Sequence, residues 1–220
     1  MSTEESWKIA LQFVSVGFGL VTIIVNGILT IWGPDIRRRL TGPRLSVNLL
    51  VDHPVRKKDY THTDGTVIPM YFYHLRVSNT RKSAPAENVK VLVKSLFKGA
   101  DAHFFPVPIS GEIQLAWEYT QGTPQPRTIG SDHPHKCDLG YLEPPGFRLK
   151  TYFDPDDFDN RLGPRETMQV KIQAVAYNAA ASKPLWLEIY WTGEWPRNEG
   201  DIGKHVIVKE IPPGSQNRTS

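Results

Sequence analysis

The 220-residue chain carries 26 Lys and Arg against 23 Asp and Glu, a net charge of +3 that excludes a nucleic-acid surface unless the bases gather in one patch. Only 40% of its residues are hydrophobic, so a soluble body must accompany any membrane segment, and six Trp, eight Tyr and nine Phe can fill that body's core. Cys137 is the single cysteine, which excludes an intrachain disulfide and fits a reducing compartment.

Residues 1–8 form a polar flank. In residues 9–33 no charge interrupts the run from Ile9 to Trp32. As a helix at about 1.5 Å per residue the run reaches about 36 Å, enough to cross a hydrocarbon core of about 30 Å with some tilt. Trp7 and Trp32 bracket it where aromatic rings favour the interface, and Pro34 ends it. It is too long for the apolar part of a cleaved signal peptide, and no small-x-small cleavage pattern follows. The pattern predicts one retained N-terminal transmembrane α-helix. The basic juxtamembrane linker, 34–44, holds Arg37, Arg38, Arg39 and Arg44, whereas the other flank holds only Lys8. This asymmetry predicts an N-terminus outside and a cytoplasmic C-terminal domain, and the arginines also suit anionic lipid headgroups.

One face of the predicted helix is polar or small. Gln12, Ser15, Gly19, Thr22, Asn26 and Thr30 fall within an arc of about 80° at 100° per residue. Their 3-4-3-4-4 spacing is close to that of a packed helix seam. Amides facing lipid are costly, and small residues let helices approach. With a single span the partner helix belongs to another chain, so self-association is expected. Scattered mild polarity and a water-lined pore are the alternatives.

From Leu45 the period changes to two. Leu45, Val47, Leu49 and Val51 alternate with polar residues; Tyr71, Tyr73, Leu75 and Val77 alternate with Phe72, His74, Arg76 and Ser78, and Val89, Val91 and Val93 with Lys90, Leu92 and Lys94. Further runs are 111–117, 137–142, 147–153, 167–177, 185–195 and 204–211, separated by Gly, Pro and Asn-rich turns. Residues 53–69 read as a long loop, and 212–220 as a disordered tail. The expectation for 45–211 is an all-β domain, an antiparallel two-sheet sandwich.

The stretch YHLRVSNTRKSAPAENVKVLV, with CDLGYL, YNAAASKPLWLEIYWTGEW and a span ending in WGP before arginines, resembles a group of uncharacterised bacterial membrane-anchored proteins. These have an N-terminal transmembrane helix and an immunoglobulin- or fibronectin-like β-sandwich. The resemblance covers most of the chain and implies that sandwich, a bacterial source and hence the inner (cytoplasmic) membrane. It carries no activity over, and fold alone does not give function.

Two clusters bear on chemistry. SDHPHKCDLG places His133, His135 and Cys137 in alternation, so a strand would turn them to one face as metal ligands. Pro134 interrupts that strand, and the simpler reading is a polar loop running into a buried cysteine. DPDDFDN carries Asp154, Asp156, Asp157 and Asp159, a candidate calcium loop that lacks the Gly and distal Glu of an EF-hand and also reads as a surface turn. No G-x-S-x-G, H-E-x-x-H or phosphate loop occurs, so no enzyme, no resident metal and no cofactor are expected. Trp186, Glu188 and Tyr190 share one face of a strand and form the candidate partner surface for a protein or small ligand, unless neighbours cover them. The expected function is a membrane-anchored, homo-oligomeric binding or scaffolding protein. The alternative is an oligomeric membrane effector, bilayer-perturbing and triggered through the head.

Overall fold

The computed structural model describes residues 41–50, 56–61, 64–82, 84–100, 103–119, 124–144 and 146–213, with Thr22, Asn26, Gly27, Thr30 and Gly33. The chain divides into two compact units, Met1–Gly42 and Pro43–Ser220. In the first unit, the five isolated residues are helical. Thr30 Oγ1 donates to Asn26 O at 2.7 Å, the bond a helix offers a hydroxyl four residues on. The rest of the expected span lies outside the described residues, with Gln12, Ser15 and Gly19 of the stripe and Arg37, Arg38 and Arg39 of the linker. Among the described residues no helix is long and apolar enough to cross a membrane.

The second unit is all-β. Its strands are β1 (Leu45–Leu49), β2 (Arg56–Thr61), β3 (Val67–Asn79), β4 (Ala86–Ala100), β5 (His103–Pro106), β6 (Ile113–Gln114), β7 (Arg127–Ile129), β8 (His135–Glu143), β9 (Gly146–Leu149), β10 (Arg161–Leu162), β11 (Thr167–Val175), β12 (Leu185–Trp191) and β13 (Val206–Glu210). All pairings between them are antiparallel. The first sheet has the order β1-β3-β8-β9-β10, with β2 also on β3. The second has the order β13-β12-β11-β4-β5, with β6 and β7 also on β4.

The alternation read from the sequence sorts the side chains. Tyr71, Tyr73, Leu75 and Val77 of β3 and Val89, Val91 and Val93 of β4 all enter one core, together with Val170 and Ile172 of β11 and Leu187 and Ile189 of β12. Burial of these faces between the sheets is the main favourable term in folding, at roughly 1.5–3 kcal/mol for each large side chain.

The expected loop over 53–69 is corrected: Arg56–Thr61 is β2, and β3 already begins at Val67. RKKDYT shows no apolar alternation; among the described residues β2 pairs with β3 alone, and an edge strand rich in Lys is how sheets avoid unwanted pairing. The expected strand 111–117 is bent between the sheets. Ile113 and Gln114 pair with β4, while Trp117 bridges Cys137 of β8. Backbone bonds follow the crossing: Leu115 N donates to Val91 O, Ala116 N to Lys150 O, and Asp138 N to Ala116 O. This segment ties the sheets together along one side.

Candidate functional site

The three candidate metal ligands do not converge. Cys137 lies in the core, and its Sγ donates to Ala116 O at 3.2 Å. His133 is exposed, and His135 packs edge-on to Trp117 with ring centroids 6.2 Å apart. Among the described residues no group of three His, Cys, Asp or Glu is placed to hold a metal ion. Burial, then the Asp138 charge, pushes the Cys137 thiol well up, so the thiolate needed for ligation or labelling is disfavoured. Burial, then the charges of Arg127 and His133, lowers the pKa of His135.

The acidic loop is a structural knot. Asp154 accepts hydrogen bonds from Arg148, from Thr151 and, at 2.7 Å, from Asn160. Asn160 and Phe158 are buried behind it, and Asp159 pairs with Lys98 at 2.6 Å. Of the four aspartates, Asp154 and Asp159 are engaged by the chain's own donors, whereas Asp156 and Asp157 stand exposed. A cavity of about 230 Å³ opens beside this knot, lined by Glu143, Gly146, Arg148, Arg161, Leu162, Gly163 and Pro164. It is below the roughly 300–1,000 Å³ of ordinary ligand sites.

A buried His–Asp contact had no local signal in the sequence. His74 of β3 and Asp138 of β8 are register partners, and His74 Nδ1 lies 2.9 Å from Asp138 Oδ1. Both side chains are buried, and His74 Nε2 has no partner among the described residues. The pair sits on alternate positions to Leu75 and Cys137, turned away from the core. The hydrogen bond between these buried groups forms only in the observed register, so the pair favours that register.

The candidate partner surface is partly covered. Trp186 is buried: Lys171 Nζ lies 5.5 Å from its ring centroid, and Phe97 is 6.4 Å away. Glu188 accepts from Lys209 and Gln169, at 2.7 and 2.9 Å. Partial burial alone would raise its pKa, but those two bonds and the Lys209 charge outweigh burial and lower it. Tyr190 is half-buried beside its register partner Ile207, which is 45% exposed. Phe97 and Gln169 are partners in the next pairing inward, so Phe97, Tyr190 and Ile207 face outward on one sheet surface. Phe97 and Ile207 were not legible as site residues, because only sheet order brings β4 and β13 to either side of β11 and β12. No model of a known protein family matches the chain, and no curated protein or solved structure shows significant similarity to it.

Proposed function

We propose that the chain is a single-pass, membrane-anchored binding or scaffolding protein. Its sandwich head lies in the cytoplasm, its spans associate through the Gln12 to Thr30 stripe, and the outward face of the second sheet takes a protein partner. The observation that carries this reading is the outward pair Tyr190 and Ile207, with the Lys209–Glu188 pair in the next row and Phe97 two strands from Glu188 in that row, on the same sheet face. Apolar and aromatic residues ringed by polar ones have the anatomy of a protein-binding patch. We further propose that the sandwich is a variant of the immunoglobulin/fibronectin kind. β4, β11 and β12 lie side by side as strands C, F and G do, and β1 and β3 as A and B do. The departure is at β8–β9, where the strand beside β3 is the first of its hairpin rather than the second.

The test compares the full chain with Tyr190→Asp and Ile207→Glu after solubilisation from native membranes. A cross-linkable residue at position 207 should capture a defined partner that the same residue at position 183 does not. Each charge placed on the row should weaken that complex about tenfold or more. Equal capture from both positions would end the proposal. Expression with a membrane-potential dye separates the alternative: depolarisation under a trigger marks a bilayer-perturbing effector, and a scaffold leaves the potential intact.

A further inference from the structure

We infer that the end of the sandwich where the linker joins it rests on an anionic lipid bilayer, a proposal that builds on the reading of residues 9–33 as a span. Arg44 opens the domain there. Its N donates to Asn79 Oδ1 at 3.1 Å, and Thr80 N donates to its O at 2.7 Å. A bridge joins Arg44 to Ala180. The β3–β4 turn and the β11–β12 turn therefore share this end with the arriving chain. Arg127 belongs to it as well, through its pairing with Val89 near the start of β4.

The side chains at this end have the chemistry of a headgroup surface. Arg44, Lys82 and Lys183 are exposed, and Arg81 and Arg127 are half-exposed. Tyr177 is 70% and Tyr119 75% exposed, which is unusual for large rings and suits the headgroup level, where one end of the ring is wet and the other apolar. Tyr177 N donates to Glu87 O at 2.9 Å, and Tyr119 follows Glu118, whose N donates to Lys136 O at 3.1 Å. These backbone bonds place both tyrosines at the same end. Acids stand here too, at Glu87, Glu118 and Asp132, but the bases outnumber them.

The opposite end has no such bias. Asp64, Glu166, Glu194 and Asp201 stand there with Arg165, Arg197 and Lys204. Charge is therefore polarised along the strands, basic where the linker arrives. A head tethered at that point meets the bilayer at a high effective concentration, which adds to the affinity of the free head.

The experiment uses residues 43–220, a compact unit whose core cluster runs from Leu45 to Val206. The head is sedimented with vesicles of phosphatidylcholine alone or mixed with phosphatidylglycerol. It should bind only the mixed vesicles, more weakly as salt rises. Each basic residue near a charged membrane is worth about fivefold, so Lys82→Glu with Lys183→Glu should weaken binding at least about 25-fold. Tyr119→Ser with Tyr177→Ser should also weaken it, and Lys204→Glu at the far end should not. No binding, equal binding to both vesicles, or equal loss in Lys204→Glu would overturn the proposal. So would tighter binding to a single-stranded oligonucleotide than to the mixed vesicles. Carbonate extraction of the full chain from membranes tests the span separately. Release of the chain while the head still binds mixed vesicles would remove the span and leave the bilayer contact standing.

Discussion

Asp154 shows how a residue read as a ligand can be a strut. Its carboxylate gathers Arg148, Thr151 and Asn160, and it closes the turn that leads β9 into β10. Removing one partner of such a network leaves half-buried donors unpaired, at about 2–3 kcal/mol. Asp154→Ala should therefore lower the melting temperature by roughly 5–10 °C in a domain of this size, read by tryptophan fluorescence. Asp156→Ala and Asp157→Ala, at exposed positions, should stay within about 0.5 kcal/mol of the parent. An Asp154→Ala melting curve that overlays the parent would remove the strut role. The same scale explains why the four aspartates looked alike in sequence. Acceptor chemistry is identical at each, and only burial and partners separate them.

At the scale of elements, the β8–β9–β10 region is built around close approach. A Cβ on Gly146 would stand 2.3 Å from Leu162 O and 3.4 Å from Trp191 Cζ3. Gly146→Ala should therefore push β10 off β9 and cost about 1–3 kcal/mol, the usual penalty of overpacking. Gly203→Ala is the control, because nothing lies within 4 Å of its Cβ position. Chemical denaturation of both variants decides it, and equal midpoints would mean that β10 yields freely. Elements also show where reading by period stops. The strand expected over 185–195 ends at Trp191, since Gly193 turns the chain at φ +91 beside Pro164. The run expected over 204–211 starts as a helical turn, Ile202–His205, before β13. Both starts of departure lie in turns, where a glycine or a polar residue answers to its neighbours in space and not to an apolar period.

For the whole molecule, the division at Gly42 and Pro43 makes a direct prediction. Because the core cluster of the described residues runs from Leu45 to Val206, residues 43–220 alone should melt within about 2 °C of the full chain in detergent. If the stripe from Gln12 to Thr30 is a seam, the full chain should be oligomeric there and the fragment monomeric. Gly19→Ile should then dissociate the full chain by blocking backbone approach, whereas Leu20→Ile should not. An identical oligomer from the fragment would assign assembly to the head. Sedimentation analysis reads all three.

The sequence by itself determined the class of the second unit. Period-two alternation in 71–77, 89–93 and 167–175 is a local property, since adjacent side chains on a strand point to opposite faces whatever their partners are. It also determined the buried fate of Cys137, as an apolar-side residue in CDLGYL. Tertiary structure alone decided which strands neighbour one another, and with that every pair that acts at a distance. His74 meets Asp138 across 64 residues, and Ile207 reaches Tyr190 only because β13 adds to β12. It also turned β2 from an expected loop into a strand, because the pairing with β3 supplies its backbone hydrogen bonds and no apolar period in RKKDYT announces it. Face is written in the local period, whereas neighbourhood depends on the closure of the two sheets, and no short stretch of sequence encodes that.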